Sequence, residues 1–135
     1  MSTYVEVEIK HRQQVTNTSC VAACLSMVTG VEQERIIGQM AKHDGGRSSL
    51  HDEYRQWVRM GYLPRRLPYG DMKFGAVMVA TVPSLNLPGG NHRIVIDHRE
   101  CLKVLDPNEG REGKLFYTAD SLRTWTDLTI VEYVF

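Results

Sequence analysis

Gln14, Cys20, His92 and Asp106 are the residues whose types and spacing can do chemistry together, and that chemistry is nucleophilic attack by a thiol. Cys20 follows Thr16, Asn17, Thr18 and Ser19, which favour turns and N-caps. It precedes Val21, Ala22, Ala23, Cys24, Leu25, Met27 and Val28, an apolar helical run that Gly30 stops. With Ser19 as N-cap, Cys20 is the first helical residue, and its sulfur lies beside unpaired backbone N–H groups at the positive end of the helix dipole. A free thiol ionises near about 8.5; at a helix N-terminus beside a histidine the value falls to roughly 3.5 to 7.5, which leaves a nucleophile at neutral pH. Gln14, six residues before Cys20, can offer its side-chain amide N–H groups to an oxyanion forming at a substrate carbonyl.

A base and its orienting group follow from a hairpin. His92-Arg-Ile-Val-Ile-Asp97 and Cys101-Leu-Lys-Val-Leu-Asp106 read as its two arms, turning at His98-Arg99-Glu100. Side chains alternate with period two, so the register decides which face each residue joins. A turn centred on Arg99 pairs Ile96 with Leu102, Ile94 with Val104 and His92 with Asp106, giving one apolar face that ends in a histidine opposite an aspartate. Centring it between Arg99 and Glu100 pairs Ile96 with Lys103 and Arg93 with Asp106 and mixes the faces, so the first register is expected. Its directly opposed Cβ atoms lie about 4.5–5.5 Å apart, close enough for the carboxylate to hold one imidazole nitrogen and aim the other outward. Packing that apolar face on the Cys20 helix would complete a Cys, His, Asp arrangement.

The remaining elements supply the scaffold. Tyr4, Val5, Val7 and Ile9 alternate with charged residues as an edge strand does. Val31 to His43 carries Ile36, Ile37, Met40 and Ala41 as the apolar stripe of a second helix. Ser49-Leu50-His51-Asp52 has capping-box spacing and opens a third, with Leu50, Tyr54, Trp57 and Val58 on one face and Gly61 as its end. Strands are expected over Leu63–Leu67, Gly75–Val82 and Asp127–Phe135, a loop over Pro83–Gly90 and a short helix over Thr118–Trp125. The reading is a single α+β domain over residues 1–135, N-terminal helices packed on a C-terminal antiparallel sheet.

Composition narrows the function classes. The chain has 135 residues, 42% hydrophobic and 24% charged, as ordinary soluble domains do. Sixteen basic residues balance sixteen acidic ones, which argues against nucleic acid or an acidic membrane surface as partner. No apolar run approaches the length of about 18 residues that spans a bilayer, and Glu6 and Glu8 interrupt any signal-peptide pattern, so a cytoplasmic location is expected. Three cysteines do not make a disulfide framework and fit reduced thiols. A zinc site of Cys20, Cys24, His98 and Cys101 is the rival chemistry, though its spacing lacks the close ligand pairs of ribbons and fingers. The thiol mechanism needs no cofactor.

These residues resemble a papain-like cysteine peptidase, most closely the bacteriocin-processing group that cleaves after double-glycine leaders, with its stand-alone relatives. That family carries a glutamine six residues before the cysteine, a helix of the type C-x-x-A-x-L-x-M-V, a histidine opening an apolar strand and an aspartate-proline after the next. Gln14, Cys20, Ala23, Leu25, Met27, Val28, His92, Asp106 and Pro107 match it here. The resemblance implies a papain-like fold and a peptide or protein substrate. It implies Cys20 as nucleophile, His92 as general base and acid, Asp106 as orienter and Gln14 as oxyanion donor. Ser19, Val21 and Asn91 depart from the family's residues, and they define the alternative reading: an inactive papain-like domain that binds a peptide or protein partner.

Overall fold

The protein is described by a computed structural model covering residues 8–16, 19–40, 50–65, 75–121 and 130–135. Three helices precede a four-stranded antiparallel sheet: α1 (Cys20–Thr29), α2 (Gln33–Met40), α3 (Leu50–Arg59), then β1 (Val77–Pro83), β2 (Asn91–Asp97), β3 (Lys103–Leu105) and β4 (Ile130–Val134). Gly30 ends α1 in the left-handed region at φ 77°, where its N–H bonds the Ser26 carbonyl at 2.8 Å. Ser19 occupies the N-cap position, but its side chain does not cap the helix. The hydroxyl instead accepts the Thr16 N–H at 2.9 Å and lies 3.1 Å from the Thr16 carbonyl, closing the turn that delivers Cys20.

The sheet runs in the order β3-β2-β1-β4. The hairpin of β2 and β3 pairs Val95 with Leu105, Ile96 with Val104 and Asp97 with Lys103, which corrects the expected register by two residues. An even shift keeps every side chain on its expected face, so the apolar pattern could not separate the two registers. The wider turn has a local cause. Asp97 accepts the Arg99 N–H at 3.2 Å, Arg99 Nε at 2.9 Å and Nη2 at 2.9 Å, so the chain bends around a carboxylate rather than at the centre of the loop.

A second correction concerns the faces. α1 packs on the sheet face of Val77, Val79, Val95, Leu105 and Tyr133, where Leu25, Val28, Ile36, Trp57 and Phe135 complete the main core. Ile94 and Ile96, expected against the Cys20 helix, join a separate cluster with Met78, Ala80, Val82 and Val131 on the other face. The face that meets α1 carries Arg93 and Asp97 beside Val95, so the hairpin's own pattern pointed to the other face; Val77, Val79 and Tyr133 of the neighbouring strands supply the apolar surface for the helix.

Other expectations meet the structure unevenly. Residues 8–10 are not strand, although Ile9 is buried in the main core; Tyr4 to Val7 lie outside the described residues. So do 41–43 at the end of the second helix, Ser49 of the capping box, 66–67 of the short strand and 122–129 toward the C-terminus. Arg65 forms an isolated bridge with Val134. Among the described residues no helix is long and apolar enough to cross a membrane.

Trp57 anchors α3 to the sheet. It is fully buried, and its ring centroid lies 4.7 Å from Phe135, 5.9 Å from Tyr62 and 6.4 Å from Tyr133. Trp57→Ala is expected to cost about 3–5 kcal/mol, read as a lower urea midpoint at unchanged slope.

Candidate active site

Asp106 is the first residue after β3 and is 1% exposed. Its Oδ1 lies 2.6 Å from His92 Nε2 and accepts the Asn108 N–H at 2.8 Å; its Oδ2 accepts the Tyr117 N–H at 2.7 Å. Three donors thus hold the carboxylate in one orientation. In the observed register His92 and Asp106 are diagonal neighbours rather than directly opposite, and the contact forms because β3 has ended and Asp106 turns with the loop.

The end of β3 also shapes the place where Cys20 sits. The His98 N–H bonds the Ala76 carbonyl at 3.0 Å, so even-numbered residues of β2 bond to β1 and odd-numbered ones point toward β3. The last β3 partner on that side is Leu105, opposite Val95. The Arg93 N–H lies beyond it, and that N–H and the His92 ring, whose Nε2 is taken by Asp106, are the groups beside Cys20 that favour its charged form.

The two ionisations follow from these contacts. Burial pushes the Cys20 thiol up, but the His92 hydrogen bond and charge, with the Arg93 N–H and charge, outweigh it and bring the thiol below its ordinary value. Burial pushes His92 down, but the bonds to Asp106 and Cys20 raise it to about 9. The two shifts run in opposite senses, the thiol down and the imidazole up, and both favour a thiolate beside an imidazolium. Cys24, one turn further along α1, is fully buried; burial and the neighbouring Cys20 charge raise its thiol well above the ordinary value. Cys101 is exposed in the hairpin loop.

Gln14 is 4% exposed, and its N–H bonds the Pro107 carbonyl at 2.9 Å, which ties it to the Asp106 loop. Its amide Nε2 donates to the Thr16 carbonyl at 2.8 Å, leaving one N–H of that group; Oε1 is buried with no partner among the described residues. Val21 turns its side chain onto the main core. Asn91 is exposed at the start of β2, paired with Pro83. Among the described residues no three His, Cys, Asp or Glu side chains gather as metal ligands, so the rival zinc set is not assembled there.

No protein-family model matches the chain, and no curated protein matches it.

Arg93 is the site residue that sequence reasoning missed. It stands in the apolar run of β2 on the face that meets α1, and its Nη2 pairs with Glu53 Oε2 of α3 at 2.9 Å, side chains 11% and 1% exposed. Its Nη1 is buried without a partner among the described residues. The signal was a charge inside an apolar strand, which calls for a buried counter-ion; alternation could not say which of many acids supplies it.

Iodoacetamide is expected to label Cys20 at lower pH than Cys24, which is slowest, with His92→Ala removing the Cys20 advantage; peptide mapping by mass spectrometry checks this. The ion pair gives shifts of opposite sign. Glu53→Gln leaves the Arg93 charge unbalanced near the sulfur, so the Cys20 labelling midpoint is expected to fall while stability drops by about 3–5 kcal/mol. The double change Arg93→Met with Glu53→Met is expected to fold as well as the parent and to raise that midpoint.

Proposed function

We propose that this protein is a papain-like cysteine peptidase that cleaves a peptide or isopeptide bond. The observation that carries the reading is the His92 ring held at 2.6 Å by the buried carboxylate of Asp106 and set beside the half-buried Cys20, whose thiol it lowers. A helix bearing the cysteine, then a strand bearing the histidine and the aspartate just after the next strand, is the order the peptidase resemblance implies.

The Cys20 thiolate attacks the substrate carbonyl carbon, and the electron pair moves to oxygen. The Cys20 N–H and the remaining Nε2 N–H of Gln14 receive the oxyanion. His92, protonated on both nitrogens, gives the Nδ1 proton to the leaving amine as the C–N bond breaks. The thioester is resolved when His92 takes a proton from water, hydroxide adds to the acyl carbon and the thiolate leaves. Asp106 keeps its bond to Nε2 throughout and holds the ring in one orientation. No cofactor enters. Free Cys20, Cys24 and Cys101 suit a reducing compartment such as the cytoplasm.

The test is turnover of a quenched peptide library, with Cys20→Ala as control. Cys20→Ala is expected to abolish cleavage, and Asp106→Asn to lower kcat on the order of 10²- to 10⁴-fold with the fold intact. Because the leaving amine needs the imidazolium, activity rises as pH passes the lowered Cys20 value and falls as pH passes about 9, where His92 loses its proton. Absence of turnover, with peptide binding unchanged in Cys20→Ala, would replace this reading by the inactive peptide-binding domain.

A further inference from the structure

We propose that the cavity between α2 and α3 is a binding site for a phosphorylated small molecule, separate from the Cys20 site. Arg35, Gly38, Gln39 and Met40 of α2 line it from one side, and Asp52, Arg55, Gln56 and Arg59 of α3 from the other; its volume is about 410 Å³. The whole chain is charge-balanced, sixteen against sixteen, yet among the described residues this cavity gathers three arginines against one aspartate, an excess of positive charge that suits an anion.

The hydrogen-bonding inventory points the same way. Gln56 is 1% exposed, and its Nε2 donates to Gln39 Oε1 at 2.6 Å while its Oε1 accepts Arg59 Nη1 at 3.0 Å. Both amide oxygens are thus occupied within the protein. What the glutamines and arginines still offer is N–H donors: the Gln39 amide nitrogen and the guanidinium forks. A donor-lined, positively charged cavity selects a ligand rich in acceptors, and guanidinium forks match phosphate oxygens in pairs.

Arg59 has another role, at the C-terminal turn of α3 and on Gln56, but Arg35 and Arg55 have no ion-pair partner among the described residues. Arg55 and Arg59 stand four apart on α3, where like charges repel, so an anion between them relieves a cost that the empty cavity carries. All three arginines are exposed and reach incoming solute. The cavity lies within the range of about 300–1,000 Å³ typical of small-molecule sites and is larger than one phosphate needs, so the phosphate carries an organic group. Met40 supplies apolar wall for that group, and Gly38 leaves the α2 side open, since a Cβ there would meet nothing within 4 Å.

The test is calorimetric titration of the whole protein with inorganic phosphate, pyrophosphate and ATP in metal-free buffer, with the double variant Arg35→Gln, Arg55→Gln as comparison. Arg59 stays, because it holds Gln56 in place. At least one phosphorylated ligand is expected to bind, on the order of tenfold or more weaker for each arginine removed, with Cys20 labelling and circular dichroism unchanged in the variant. ATP binding tighter than pyrophosphate and inorganic phosphate supports a phosphate that carries an organic group, and equal affinity for all three would overturn it. No heat with any of the three at millimolar concentration, equal affinity in the double variant, or tighter binding of a poly-glutamate peptide would each overturn the proposal.

Discussion

The buried carboxylate of Asp106 is the constraint on which the site depends. An anion with almost no solvent is tolerable only if its oxygens are bonded, and here Nε2 of His92 and the N–H groups of Asn108 and Tyr117 bond them. The backbone around it organises the rest. The Asp106 carbonyl faces His11 Nε2 at 2.8 Å, and the Pro107 carbonyl takes the Gln14 N–H at 2.9 Å. One short turn after β3 therefore fixes the histidine ring and the N-terminal segment that leads through Gln14 to Cys20.

The position of Cys20 relative to Cys24 shows why a sulfur's surroundings matter more than its element. Both belong to α1, one turn apart, and both are desolvated. Cys20 lies where β2 extends past β3, and that overhang gives it a backbone N–H and an imidazole; Cys24 lies deeper, against Leu25, Val28 and the sheet, with no such donors. The first has its thiol lowered and the second has it raised, which leaves Cys24 a small apolar side chain.

α3 serves both faces of the protein. Glu53 turns inward to Arg93 beside the Cys20 site, Trp57 packs into the aromatic cluster, and Asp52, Arg55, Gln56 and Arg59 line the cavity toward α2. Four residues of spacing bring a helix round to nearly the same side, while Asp52 and Glu53, one apart, point about 100° from each other. A helix of ten residues thus carries a buried ion pair, a core anchor and a polar wall at once.

Much of this was determined by the sequence itself. The start of α1 at Cys20 and its end at Gly30 follow from turn-forming residues, an apolar run and a left-handed stop, all local in the chain. Helices before sheet, and the shared face of Ile94 and Ile96, follow from periodicity. Tertiary structure alone decided the rest. Registers two residues apart give the same faces, so only the Asp97–Arg99 contact and the docked chain choose between them. The Val95 face of the hairpin also carries Arg93 and Asp97, so only packing with Val77, Val79 and Tyr133 puts Val95 rather than Ile94 under α1. The Arg93–Glu53 pair and the α2–α3 cavity join residues distant in sequence or on separate helices, and no period within one segment encodes a contact between two.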